Sequence, residues 1–144
     1  MQFEFLTLSG SMYAGETKSV HLATTEGQIT ILPHHEPLVA KVIAGPVTIV
    51  PHTGEPQVFA SFGGLLEVSK HFTRLLSDEA DHADDLIAEH VEAALHRAEA
   101  ARAAAKGDKE IERAQELVDR ESVRLAVARM RRHSGPRHKR PDEL

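Results

Sequence analysis

The 144-residue chain has no cysteine and no tryptophan, and only five phenylalanines and one tyrosine. Without cysteine there are no disulfide staples, no thiolate nucleophile and no cysteine-ligated zinc, a composition that suits a reducing compartment. So few aromatic rings leave little material for a large aromatic-walled pocket. Long apolar runs are also missing, since no stretch approaches the roughly 20 residues that span a bilayer. The opening Met1-Gln2-Phe3-Glu4-Phe5-Leu6 has neither the basic flank nor the apolar stretch of a signal peptide. Any place beside a membrane would therefore be taken through partners.

What is present is unevenly distributed. The net charge of −5 conceals an acidic body and a basic C-terminal arm: residues 1–108 hold seven Lys/Arg and fifteen Asp/Glu, and residues 109–140 hold ten and five. Such asymmetry points to an acidic surface as the partner of the arm, or to a well-solvated helix. Proline and glycine are unevenly spread too. Up to about Leu76 they recur every few residues, from Gly10 and Gly15 to Gly63-Gly64. Between them lie short alternating or β-branched runs: Phe3–Leu6, Ser19–Ala23, Gln28–Leu32, Val39–Ile43, Val47–Val50, Val58–Phe62, Leu65–Val68 and Thr73–Leu76. That spacing predicts an antiparallel β-sandwich or barrel. Gly15-Glu16, Glu26-Gly27 and Thr53-Gly54 are expected as hairpin turns, and Gly63-Gly64 as a bulge or tight bend.

The pattern changes at Asp78. From there to Arg132 there is no proline and one glycine, Gly107. Small or apolar residues fall at Ile87, Val91, Ala94, Ala98, Ala101 and Ala105, then at Ile111, Ala114, Val118, Ser122, Leu125 and Ala128, which is the period of one helix face repeated twice. Lys106-Gly107-Asp108 supplies a stop and a cap between them, so two antiparallel helices follow. The expected organisation is a β-sandwich over 1–78, a helical hairpin over 79–132 and a disordered basic tail over 133–144. The alanine seam buries little area, so the hairpin should be only marginally stable by itself. Seven acids from Asp78 to Glu92 are expected at the start of the first helix, beside Arg120, Arg124, Arg129, Arg131 and Arg132 at the end of the second. Surface pairs of this kind are worth at most about 1 kcal/mol each, a weak latch.

Chemistry is harder to place. Ten histidines invite a metal site, but His82, His90 and His96 on one helix lie roughly 80° and 240° apart at 100° per residue and do not converge. No phosphate-cradling loop ending in Lys-Ser/Thr and no Gly-x-Ser-x-Gly elbow occurs. Asp84-Asp85 is expected on an exposed helix, solvated. No metal, cofactor or catalytic residue is expected, and the chain is read as a partner-binding subunit, not an enzyme. A free-standing β-domain adaptor whose basic tail binds nucleic acid is the alternative, weakened by an acidic body without base-stacking aromatics.

Several motifs in order resemble one family. Gly27-Gln28-Ile29-Thr30-Ile31-Leu32-Pro33-His34-His35-Glu36-Pro37-Leu38, Gly63-Gly64-Leu65-Leu66-Glu67-Val68, Leu76-Ser77-Asp78-Glu79-Ala80 and Arg124-Leu125-Ala126-Val127-Ala128 are similar to segments of the epsilon subunit of bacterial F-type ATP synthases (delta in mitochondria). The resemblance covers about residues 2–132. It implies a ten-stranded β-sandwich carrying a helical hairpin, in a non-catalytic rotor subunit of the central stalk at the cytoplasmic face of the plasma membrane. It implies that the sandwich clasps the gamma subunit and sits on the c-ring of a proton-translocating machine. On this likeness the loop from Glu26 to His35, with Gly27, Gln28, Pro33 and His34, faces the ring and puts Gln28 at the contact position; Ser9 and His35 lie near gamma, and Pro37 completes the set that meets ring or gamma.

The same likeness makes the hairpin a regulator. Extended beside gamma, its second helix meets acidic surface on the catalytic alpha and beta subunits and impedes ATP hydrolysis, with Arg113, Arg120, Arg124, Arg129, Arg131 and Arg132 as the basic residues concerned. Some members bind ATP near the start of the first helix. Here the aligned residues put Ile87 in place of the acid, His90 in place of the arginine and Val91 in place of the alanine. A neutral imidazole cannot supply the bidentate, permanently charged guanidinium fork, so weak or no ATP binding is expected.

Overall fold

The computed structural model describes residues 1–132; the expected basic tail at 133–144 and the Arg132 side chain lie outside the described residues. Seven strands come first: β1 (Gln2–Thr7), β2 (Gly10–Thr24), β3 (Gly27–Ile31), β4 (Leu38–Pro51), β5 (Gln57–Val68), β6 (Thr73–Ser77) and β7 (Ala80–His82). A single 3-10 turn, Ala83–Asp85, leads to α1 (Ala88–Ala104) and α2 (Asp108–Arg132). The β-rich module followed by two helices is the architecture expected from the periodicity.

The strands run in the order β1-β6-β5-β4-β2-β3, and β1 also pairs with β2, which closes the sheet on itself. All pairings are antiparallel except β1 with β6. Alternate residues point inward, and Phe3, Phe5, Val20, Leu22, Ile31, Ile49, Phe59, Leu66 and Leu75 fill the interior with almost no exposure. Phe5 and Phe59 meet edge-on with centroids 5.4 Å apart, a geometry that suits their ring quadrupoles. At roughly 1.5–3 kcal/mol for each large apolar side chain buried, this cluster is the stability of the module.

Several segments read as separate strands are continuous. Val39–Ile43 and Val47–Val50 belong to one β4, whose Gly45 and Pro46 stay in register opposite Ser61 and Ala60. Long strands that serve both halves of the barrel account for seven continuous elements where ten short ones were expected. Gly63 and Gly64 do bend β5: their φ values are +98° and +153°. A Cβ on Gly64 would lie 2.0 Å from the Leu76 carbonyl oxygen, so β6 can lie this close only against glycine.

Gly15-Glu16 is not a turn. Gly15 sits inside β2 opposite Phe3, where a Cβ would stand 3.5 Å from the Tyr13 hydroxyl. The true β1–β2 turn is Leu8-Ser9, closed by Gly10 at φ +131°. Glycine frequency marked the turn-rich region but not which glycine turns.

The helices also start later than expected. Asp78–Asp85 are not the first turns of α1. β7 pairs with Phe59–Ser61 of β5, continuing along the strand edge beyond the part covered by β6. Asp78 and Glu79 therefore lie just before the last strand, Asp81 lies on it, and Asp84 and Asp85 are exposed on the 3-10 turn that follows. Gly107 at φ +87° links the helices as expected. In α1, Ala88, Val91 and Ala98 are buried, whereas Ile87 and Ala101 of the expected stripe are exposed. In α2, Val118, Leu125 and Ala128 are buried and Ser122 is exposed.

Candidate functional site: two surfaces of the β module

The residues expected to meet partners on the β module fall into three places. Ser9 is exposed in the turn before β2, while Glu26, Gly27 and Gln28 lie at the hairpin just past the end of β2. Pro33, His34, His35 and Pro37 follow at the far end of β3, roughly 16 Å away along five extended residues.

Each place is locally well defined. Thr24 Oγ1 donates to the Gly27 carbonyl (2.8 Å) and accepts from the Glu26 amide (3.2 Å), which fixes the β2–β3 turn. Gln28 and Thr30 project from the same side of β3, and His21 of β2 bridges them. In the Nε2–H tautomer its ring donates to Gln28 Oε1 (3.2 Å) and accepts the Thr30 hydroxyl at Nδ1 (2.7 Å). β3 pairs only with β2 among the described strands, so it presents an open edge.

Leu32-Pro33-His34-His35 is a type II turn. Its His35 amide donates to the Leu32 carbonyl at 3.1 Å, Pro33 holds the second position, and His34 takes φ +67° in the third. His35 Nδ1 donates to the Glu36 carbonyl at 2.8 Å. This turn, with Met1, Gln2 and the β5–β6 loop of Lys70, His71 and Phe72, borders an open cavity of about 490 Å³.

The second surface is where α2 lies on the sheet. Besides the stripe facing its partner helix, α2 carries Arg120, Val123, Arg124, Val127 and Arg131 on another face. Val127 is fully buried in a small cluster with Ala60 and Ala83, flanked by Val58, Phe62, Leu86 and Val123. Around it the charges pair. Glu79, immediately before β7, divides its carboxylate: one oxygen takes Arg120, the other takes Arg124 at 3.0 Å. Asp81 accepts from Arg124 Nε at 2.7 Å, and Glu121 accepts from the third nitrogen at 2.9 Å. Both guanidiniums lie over the ring of Phe62, 5.0 and 4.8 Å from its centroid, an arrangement the negative ring face favours. Further along, Arg131 pairs with the Asp84 carboxylate (3.1 Å) and carbonyl (3.0 Å).

Only 18% of the Arg124 side chain is exposed, and 12% of Glu121. Burial by itself would lower the Arg124 pKa, but the hydrogen bonds and charges of Asp81 and Glu121 outweigh it and hold the guanidinium above its ordinary value. Among the described residues no buried side-chain nitrogen or oxygen lacks a partner. The latch thus differs from the expected one in position: apart from Glu121 of α2, its acids lie on and around β7 and not on α1, and helix meets sheet as well as helix. Of the other basic residues, Arg113 and Arg129 are exposed on α2.

At the positions of the nucleotide motif, Ile87 and His90 are exposed and Val91 is buried. No group of three or more metal-ligating side chains converges among the described residues. Nor is any described helix long and apolar enough to cross a membrane.

Comparison with known proteins matches this layout. The beta-sandwich domain of the ATP synthase delta/epsilon chain matches residues 1–83, a span that ends just after β7. The ATP synthase epsilon chain of Herpetosiphon aurantiacus is 32% identical over 133 residues, covering 92% of this chain and 97% of that protein. That of Alkalilimnicola ehrlichii is 30% identical over 135 residues, covering 93% and 96%. Among solved structures, a chain of the Euglena gracilis mitochondrial ATP synthase (OSCP/F1/c-ring, rotational state 1) superposes with a TM-score of 0.73 at 16% identity, covering 89% of this chain and 79% of that one. A chain of the Tetrahymena thermophila mitochondrial ATP synthase central stalk and c-ring gives 0.59 at 12%, covering 89% and 96%. At those identities the structural likeness establishes the fold, and the sequence relatives establish the kinship. A closed sheet carrying a two-helix hairpin, matched along nearly its whole length by epsilon chains, places this protein in the ATP synthase delta/epsilon family.

Proposed function

We propose that the chain is the non-catalytic epsilon subunit of a proton-translocating F-type ATP synthase, a rotor component of the central stalk that joins gamma to the c-ring. The reading is supported above all by match to epsilon chains across both the β module and the hairpin. The β module, rigid and closed, holds the partners; the turns at Ser9, at Glu26–Gln28 and at Pro33–Pro37 are its contact points. The complex sits peripherally at the cytoplasmic face of the plasma membrane through those partners.

The hairpin regulates direction. Docked on the sheet it leaves hydrolysis free; extended, its basic α2 meets the alpha and beta subunits and impedes it, through Arg113, Arg120, Arg124, Arg129, Arg131 and Arg132. No nucleotide takes part, because Ile87, His90 and Val91 replace the residues that would hold one.

The test is hydrolysis by the reconstituted enzyme with residues 87–144 deleted. The cut follows Leu86 and not Asp78, because β7 belongs to the sheet. Hydrolysis should rise while gamma and c subunits still co-purify. Unchanged hydrolysis would remove the inhibitory role, and loss of co-purification with gamma and c from the full chain would remove the rotor assignment in favour of a free-standing adaptor.

A further inference from the structure

The geometry of the latch gives Glu79 and Asp81 a meaning beyond holding a helix down. Arg120 and Arg124 are four residues apart on α2, a separation of roughly 6 Å along the axis. Glu79 and Asp81 are two residues apart on an extended segment, roughly 6.6 Å. Strand and helix thus present matched pairs of opposite charge at nearly the same spacing, with Glu79 spanning both arginines and Asp81 completing the fork of Arg124. Phe62 lies beneath both guanidiniums.

A guanidinium has a limited set of donors in one plane. While Glu79 and Asp81 occupy them, Arg120 and Arg124 cannot engage carboxylates of another protein in the same way. Glu121 is different: it sits on α2 beside Arg124, so it travels with the helix and keeps that side chain ordered in either position.

We propose that Glu79 and Asp81 are an internal stand-in for the acidic protein surface that α2 meets when it leaves the sheet, so that docking and inhibition are competing occupations of the same two arginines. This rests on the reading of α2 as an inhibitor from its undocked position. Leaving the sheet exchanges one carboxylate environment for another, so the ionic part of the change costs little and what must be given up is the small Val127 cluster. The two β7-side acids then set how often the helix is available. They regulate hydrolysis without touching the catalytic subunits.

The consequence has an unexpected sign. Neutralising acids on the β module should strengthen inhibition. In the assembled enzyme, the double substitution Glu79→Gln and Asp81→Asn should lower ATP hydrolysis by roughly twofold or more, and deleting residues 87–144 from the same variant should abolish the difference. If deletion from the wild-type chain does not raise hydrolysis, the inhibitory reading fails. If deletion raises hydrolysis but the double variant hydrolyses at the wild-type rate or faster, the competition is overturned.

A direct readout accompanies it. The chain has no native cysteine, so spin labels at Lys18→Cys on β2 and Ile111→Cys on α2, both exposed positions, report the hairpin alone. The isolated full chain should give one narrow distance distribution, and the double variant a second population; an unchanged distribution would also overturn the proposal. A charge swap separates the two roles. Arg120→Glu and Arg124→Glu combined with Glu79→Arg and Asp81→Arg should restore the single narrow distribution but leave hydrolysis uninhibited. Restored inhibition in the swap would show that the arginines are not what the outside surface recognises.

Discussion

The β module and the hairpin are built from different materials, and they hold together in different ways. The module encloses Phe, Leu, Ile and Val side chains with almost no exposure. The hairpin buries mostly alanine and valine in α1 and relies on charge, one phenylalanine ring and a three-residue apolar cluster to meet the sheet. Apolar burial is insensitive to salt and loses little to relaxation; half-exposed ion pairs are screened and reversible. One chain therefore contains a part that should stay folded whatever its surroundings and a part whose position can be changed cheaply.

The largest test of that contrast is Leu66→Ala in the barrel interior. It should cost about 2–5 kcal/mol of global stability, seen as a lower denaturant midpoint for β-sheet signal and hairpin together, because the hairpin has nothing to dock on once the sheet opens. Arg124→Ala should do less and do it locally. It leaves Asp81 and the buried Glu121 without their cation, a loss of about 1–3 kcal/mol. Hydrogen exchange should show faster opening of α2 with the protection of β4 and β5 unchanged. Equal loss in both regions would erase the distinction.

The smallest effect stays within the module. Tyr13, the only tyrosine, has its pKa raised above 10.0, first by burial and then by the charge of Glu16. Its folded-state value exceeds the unfolded one, so the neutral phenol stabilises the fold below about pH 10 and that contribution is lost as pH rises through the folded value. Absorbance titration of the phenolate should give a midpoint above 10.0 that Arg124→Ala does not move.

Much of this division is written in the periodicity. The end of proline and glycine punctuation near Asp78, the repeated 4-3-4 spacing and the lone Gly107 are local signals, and local signals specify elements. The sharp bend at Gly63-Gly64 was legible for the same reason. The placement of the acids was not, because Glu79 and Asp81 look like a helix start in a window that ignores β5. The place of Asp81 in a strand, and of Glu79 just before it, depends on β7 pairing with Phe59–Ser61 about twenty residues earlier. The face of α2 that carries Arg120, Val123, Arg124, Val127 and Arg131 was also present as a second stripe. Its arginines made it read as a latch to the first helix and as a surface for partners, not as a face docked on the sheet. A usable clue existed: acids two apart on a strand and arginines four apart on a helix have nearly equal spacing. The turns proposed to face partners gave no such clue to their relative position, since the resemblance named residues but not the distances between Ser9, Gln28 and His35.

The hairpin is attached near one end. Its buried sheet contacts lie at Arg120 and beyond, while Ile111 to Leu117 are exposed or only half-buried. About thirteen residues separate Gly107 from Arg120, an arm of roughly 20 Å. A sideways load applied at the tip thus acts on the latch with leverage, prying its outermost ion pair first and the Arg131–Asp84 pair last. What holds the helices against thermal motion is therefore undone more easily by a push at the tip near Gly107 than by the same push beside Arg131.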